Sequence, residues 1–258
     1  MSRDSVGKIL LVAFSLCVVC SVMVSSTAVA LKDKQQTNVA KDRKRNVLVA
    51  AGLVTPDQAD VDVDAYFENI EARVYDLDTG KVADVKAADF DAEKALKAEP
   101  HAIPAGVPGG DKVKARSKQQ VVYLVKTKEG ALDAVVLPIQ GLGLWSTLKG
   151  FLALEADLVT VRGLVYYDQK ETPGLGGEVD NPIWRAQWPG KKLFDADGSY
   201  HFTVVKGPAS GGDPHKADGI SGATITCNGV DGMLRYWMSA DGYGPVLENL
   251  GKGVKRDG

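Results

Sequence analysis

Residues 218–226 read DGISGATIT, and they place three hydroxyl side chains, Ser221, Thr224 and Thr226, among glycine, alanine and isoleucine. Hydroxyls in such a run commonly cap a following helix by accepting hydrogen bonds from its first N–H groups. A helix N-terminus also holds phosphate well, because unpaired N–H groups and the positive end of the dipole meet there. Asn228-Gly229 marks the expected start of that helix, two residues after Thr226. A threonine hydroxyl is not activated at neutral pH, so a group transferred onto it requires a base and a metal supplied by another protein. The small residues of the run leave the backbone open to such an enzyme.

Better-known motifs are not completed. Gly141-Leu142-Gly143 and Gly174-Leu175-Gly176 do not extend to a dinucleotide fingerprint, and Gly190-Lys191-Lys192 lacks phosphate-loop spacing. His101, His201 and His215 are too scattered along the sequence to suggest a metal site or a catalytic triad.

The elements that must position the hydroxyl run are legible by period. Val230, Met233, Leu234, Trp237 and Met238 form one apolar helical face directly after it, stopped by Asp241-Gly242. Residues 121–125 and 134–137 flank a turn at Glu129-Gly130, with Pro138 closing the second strand. Further strand-like runs are 73–77, leading into the turn Asp78-Thr79-Gly80, and 158–161, 164–167 and 202–205. Residues 101–110 are rich in proline and glycine and predict a surface loop. The expected fold class is α+β, a mostly antiparallel sheet with helices packed against one face.

Composition is that of an ordinary globular chain: 258 residues, 45% hydrophobic, 25% charged and a net charge of -2. That balance offers no basic field for DNA or RNA, so no nucleic-acid partner is expected. Of the three cysteines, Cys17 and Cys20 lie in an apolar N-terminal stretch, which leaves Cys227 alone in the globular part and excludes a disulfide framework or a cysteine-built metal site there.

Residues 9–31 contain no charged side chain. At about 1.5 Å per residue, a helix of this length crosses a hydrocarbon core of about 30 Å. A cleaved signal peptide competes with this reading, since Arg3 and Lys8 precede the run and Ala28-Val29-Ala30 resembles a cleavage site. Cys17, Ser21, Ser25 and Ala28 form a small-residue stripe of the kind that lets another membrane helix approach, which favours retention. The expected organisation is a tail at 1–8, a transmembrane helix at 9–31, a helical stalk at 32–52 and an α+β domain at 53–258. Orientation stays open on charge alone: Lys32, Lys34, Lys41, Arg43, Lys44 and Arg45 follow the span, but large domains translocate regardless of such counts.

In order, Asp218, Ser221, Gly222, Ala223, Thr224 and Thr226 resemble the recognition motif for covalent flavinylation in bacterial redox proteins, with Thr226 at the acceptor place. The wider chain resembles the C subunits of sodium-translocating NADH:quinone oxidoreductases, through LKDKQ (31–35), GLGLWS (141–146), ETPGLGG (171–177), VVKG (204–207), SGATIT (221–226) and GYGP (242–245). The resemblance implies FMN joined to Thr226 by a phosphoester, and a relay role that passes electrons between other centres without binding NADH. It also implies partner subunits, a flavin transferase during maturation, and an inner-membrane anchor with the domain in the periplasm. In such a domain Trp145 and Leu175 are expected to flank the flavin ring, and Glu171, Thr172 and the backbone near Gly176 to bond its polar parts. Lys206 is expected to offset negative charge on the phosphate or reduced ring. The G subunit of the related ferredoxin-linked complex is the alternative within this chemistry. A membrane-anchored scaffold without flavin, its Thr226 a helix cap, is the alternative outside it.

The span predicts a mature protein whose intact mass includes residues 1–31. A new N-terminus at Leu31, read by N-terminal peptide mapping, would identify 28–30 as a cleavage site instead.

Overall fold

A computed structural model describes residues 5–58, 61–209 and 212–252. The first four residues of the expected tail, Arg3 among them, lie outside these, as do the last six of the domain. Two compact units meet between Arg43 and Lys44.

The first unit is built on α1 (Val6–Ala50), a single 45-residue helix. Its most apolar 18-residue window has a mean hydropathy of 2.5 and no burial within the protein. Gly52, with φ +67°, ends the helix: its N–H bonds Val49 O at 3.1 Å, and Leu53 N bonds Leu48 O at 3.0 Å. These paired bonds satisfy the last carbonyls in the manner of a Schellman cap.

The second unit begins with the final turns of that helix, which do not form a free stalk. Val47, Leu48 and Ala50 are fully buried. Removing Val47 and Leu48 from water contributes roughly 1.5–3 kcal/mol each. Short α2 (Val63–Phe67) leads into β1 (Ile70–Asp76), and α3 (Ala92–Ala98), β2 (His101–Ala102) and β3 (Ala115–Arg116) precede the main sheet strands. Those are β4 (Gln119–Lys126), β5 (Leu132–Leu142), β6 (Thr147–Glu155) and β7 (Val161–Asp168). The sheet runs β1-β4-β5-β6-β7, antiparallel throughout. After it come α4 (Pro182–Arg185), the short parallel pair β8 (Thr203–Val204) and β9 (Lys216–Ala217), and helices α5 (Thr224–Trp237) and α6 (Gly244–Gly251).

The chain is therefore α+β with a mostly antiparallel sheet, as expected, but helices cover both faces of that sheet. Alternation along β5 separates the two layers. Val135, Leu137 and Ile139 join the core beneath α5 and α6, while Ala134 and Val136 join the core that holds Val47, Leu48 and Phe151.

Three strand expectations are corrected. β5 does not close at Pro138 but continues to Leu142, because β4 stops pairing with it at Val136 and the missing N–H of proline faces no ladder partner. Residues 158–160 form a turn rather than a strand: Leu158 has φ +60°, and Asp157 Oδ1 accepts from Val159 N at 2.9 Å and Thr160 N at 2.8 Å. Strand β6, which the sequence reading missed, lies between β5 and β7. Its Gly150 sits where a Cβ would come within 2.5 Å of Val165 O.

Gly163 of β7 shows how closely α1 seats on the sheet, since a Cβ there would lie 2.5 Å from Ala50 O. Gly163→Ala forces the helix end outward and should destabilise the domain by about 1–3 kcal/mol. A thermal melt should show a fall of several degrees at unchanged far-ultraviolet circular dichroism, and an unshifted midpoint would mean that the helix end is not packed as described.

Candidate functional site

The site forms where three segments meet. The turn 143–146 joins β5 to β6 and is closed by Gly143 N donating to Ser146 O at 2.8 Å. The segment 169–177 leaves β7 and enters a 3-10 turn, Gly176–Asp180. The third is the first turn of α5. Glycines bring that helix against β5: a Cβ on Gly229 would collide with Leu142 O, and one on Gly141 would lie 2.7 Å from Met233 Cβ. Trp237 Nε1 donates to Gln140 O at 2.8 Å farther along the same contact.

α5 starts at Thr224, not at Asn228-Gly229 as the sequence suggested. Asparagine and glycine are weak helix formers, but here the close approach to β5 requires the glycine inside the helix. Thr226 is thus the third residue of the helix, within the turn whose N–H groups lack intrahelical acceptors. Ala223 occupies the cap position and supplies no side-chain hydrogen bond.

The centre of the junction is Glu171. Its Oε1 accepts from Trp145 N at 2.9 Å, Ser146 N at 3.0 Å and Ser146 Oγ at 3.1 Å. Its Oε2 accepts from Leu144 N at 3.0 Å and Thr226 Oγ1 at 2.7 Å. Ser146 Oγ in turn accepts from Lys170 N at 2.8 Å. Burial opposes the charge of Glu171, but the bonds from Thr226 and from the amides of Trp145, Leu144 and Ser146 outweigh it and hold the carboxyl below its ordinary range. Thr226 is only 1% exposed.

The remaining expected residues sort into two groups. Trp145, 72% exposed, and Leu175, 43% exposed, stand on the turn and segment that Glu171 joins, together with exposed Leu144 and, beside the hydroxyl, exposed Ile225. Sequence reasoning missed Leu144, Ser146 and Ile225, although each lies within a stretch it had singled out. Thr172 faces solvent with its carbonyl accepting from Leu175 N at 3.1 Å and Gly177 N at 3.0 Å, so it shapes the segment. Lys206 lies on the other side of the motif. It lines a cleft of about 600 Å³ with Ser221, Thr224, Cys227 and Asn228, and among the described residues it shares no hydrogen bond with Glu171 or Trp145.

Within the motif, Asp218 braces the loop. Its Oδ1 accepts from Ala209 N at 2.7 Å and its carbonyl from Trp184 Nε1 at 2.8 Å. Gly222 takes φ +73°, and a Cβ there would lie 2.8 Å from Leu175 Cδ2, so the glycine is needed both for its conformation and for the packing of Leu175.

The histidines are less scattered than their sequence positions imply. His201 and His215 have ring centroids 5.3 Å apart and flank Asp195 at 3.2 and 3.4 Å, while His101 stands apart beside Asp241. The pairing arises because β8 and β9 lie side by side. Among the described residues, no group of three or more His, Cys, Asp or Glu is arranged to hold a metal ion.

Residues 143–239, the span containing all three site segments, match the FMN-binding domain family. Over 260 aligned residues, covering 100% of this chain and 97% of the relative, the chain is 45% identical to the C subunit of the Na(+)-translocating NADH-quinone reductase of Yersinia pestis. The chain belongs to this family of C subunits. The corresponding protein of Pseudomonas aeruginosa is 45% identical, with 98% of each chain covered. Among solved structures, the crystal structure of Shewanella oneidensis NqrC superimposes with a TM-score of 0.73 at 33% identity, covering 82% of this chain and 98% of that one.

The residues present suit an FMN group. The uncapped start of α5 offers N–H groups to a phosphate, the neighbouring cleft has room and a lysine, and exposed apolar side chains stand beside Thr226 to meet a flat ring. The hydroxyl itself is covered by the segment that carries Glu171 and Gly176.

Because Glu171 titrates below the ordinary glutamate value of about 4.3, its bonds contribute stability that is present above that pH and lost as pH falls through the folded value. Denaturant midpoints of the wild-type domain should therefore drop between about pH 4.3 and the acid limit. Glu171→Gln should remove part of that slope, and identical slopes would show that Glu171 does not titrate as described.

Proposed function

We propose that this chain carries FMN as a phosphoester on Thr226 Oγ1 and relays electrons within a membrane complex that oxidises NADH, reduces quinone and moves sodium. The family membership along the whole chain carries the proposal, and the agreement of every specified motif position with Thr226 as acceptor supports the attachment point. Residues 9–31 of α1 would span the inner membrane, 32–43 continue the helix as far as the domain, and the domain stands on the periplasmic side among the other subunits. A flavin transferase would load it during maturation.

Bound there, FMN supplies a centre that accepts and releases electrons one at a time. The chain's own residues fix and tune it. The first N–H groups of α5 meet the phosphate, and the Lys206 ammonium offsets negative charge from the cleft side. Trp145, Leu144, Leu175 and Ile225 keep water from the ring. Before FMN is attached, Glu171 has its carboxylate filled by protein donors and holds the turn 143–146 and the first turn of α5 in register. Covalent attachment suits a compartment in which a lost flavin cannot be replaced.

Expressed with a flavin transferase, the protein should gain one FMN mass on the peptide containing Thr226. Thr226→Ala should stay colourless and still fold, with a melting midpoint a few degrees below that of the unmodified wild type because Glu171 loses one hydrogen-bond donor. FMN found on Thr224 or Ser221 instead would displace the assigned register.

A further inference from the structure

The acceptor hydroxyl is not presented to solvent. Because the whole of Thr226 is covered, with 1% exposure, rotation about χ1 does not free its oxygen. What covers it is the segment 171–177. Glu171 binds the hydroxyl directly, and Gly176 lies so close that a Cβ there would be 2.5 Å from Thr226 Oγ1 and 2.8 Å from Glu171 Oε2. Leu175 seats on Gly222, and Gly174, at φ +75° with open space around it, gives the segment a bend.

A position that does not admit a methyl group at Gly176 does not admit a phosphodiester on Thr226. An esterified Oγ1 also has no proton to donate, and it would set a phosphate anion directly against the Glu171 carboxylate. The closed arrangement and the modified threonine exclude one another.

We propose that residues 171–177 form a lid, latched by the Thr226–Glu171 hydrogen bond, that withholds the acceptor hydroxyl until it opens and does not return to the same closure after modification. The inference rests on Thr226 being the attachment site. Joining free FMN to a hydroxyl would expel water and run uphill, so the donor must carry the flavin phosphate on an anhydride, as flavin adenine dinucleotide does. With the lid open, Thr226 Oγ1 forms the new bond to the flavin-side phosphorus, the anhydride P–O bond breaks, AMP leaves, and the hydroxyl proton passes to a base of the transferase. Glu171 has moved away with the lid and is not that base. It is a positioning residue for the closed state.

The test measures initial rates of FMN incorporation into the full chain by intact mass and AMP release, with flavin adenine dinucleotide and limiting transferase. Glu171→Ala, which removes the latch, should be modified faster than wild type by about tenfold, the factor equivalent to about 1.4 kcal/mol and the scale of one hydrogen bond to a charged group. Gly176→Ala, which blocks closure by bulk and leaves Glu171 in place, should also be faster. It decides the matter if Glu171→Ala does not fold. In wild type, the Leu144, Trp145 and Ser146 amides should be protected from hydrogen exchange before modification and lose protection after it. Slower modification of both variants, with wild type modified normally at Thr226, would overturn the lid and make Glu171 an aid to transfer. Unchanged amide protection after modification would overturn it as well. A wild-type chain that takes no flavin at Thr226 would instead remove the attachment reading on which the lid depends.

Discussion

Five donors from two chain segments end on the two oxygens of Glu171, carried by a third, and the local structure follows from satisfying them together. Three successive amides, those of Leu144, Trp145 and Ser146, point inward from a tight turn, an arrangement that needs an anion. Supplying that anion from residue 171 draws the segment after β7 across the end of the β5–β6 hairpin. The fifth donor is Thr226 Oγ1, so the same carboxylate fixes the rotation of α5 about its axis. A shorter aspartate on the same backbone would not reach both the turn and the helix. Loss of charge at this point would leave converging N–H groups with a poorer acceptor, which costs more than one average hydrogen bond.

The carboxylate can only make these bonds if α5 lies almost in contact with β5. Glycines on both elements permit that approach, Gly229 beside Leu142 O and Gly141 beside Met233. Glycine inside a helix costs up to about 1 kcal/mol relative to alanine, and here the loss is offset by burying Val230, Met233, Leu234 and Trp237 completely. Beyond Val136 the edge of β5 that faces away from β6 has no strand partner among the described residues, so α5 and the residues after it satisfy its carbonyls from the side. Trp237 Nε1 takes Gln140 O, and Tyr243 Oη takes Pro138 O at 2.6 Å. The proline that makes β5 look finished in the sequence is therefore part of the surface on which the helix docks.

The parts legible in the sequence were those with local signatures. Period-two runs gave the β4–β5 hairpin, and the apolar face of α5 gave its register. The parts that escaped depend on contacts between distant segments. Strand β6 follows the glycine-rich GLGLWS stretch and carries Gly150 at its middle, a residue that weakens a strand in isolation but is required where β7 crosses closely. The true start of α5 was hidden because Asn228-Gly229 reads locally as a helix boundary. The five protein donors that fill the Glu171 carboxylate also left no mark in the sequence, where it reads only as a carboxylate beside glycines. His201 and His215 likewise become neighbours only through the pairing of β8 with β9.

Around Thr226 the usual order of a protein surface is inverted. The hydroxyl is buried, while Leu144, Trp145, Leu175 and Ile225, on the segments that meet there, are exposed. Such an arrangement is costly for a finished surface, because apolar area left in water forfeits about 25 cal/mol per Å². It suits a surface completed by a flat, largely apolar group. Covering part of a tryptophan and three aliphatic side chains would return a few kcal/mol, the same order as breaking the hydrogen bond between Thr226 and a charged carboxylate. On the lid proposed above, two states of comparable free energy oppose each other: the observed one closed on Glu171 with its apolar side chains in water, and an opened one with those side chains covered and the threonine oxygen used for a different bond. The covalent link proposed at Thr226 would decide between them permanently, which a weak equilibrium between two such balanced states would not.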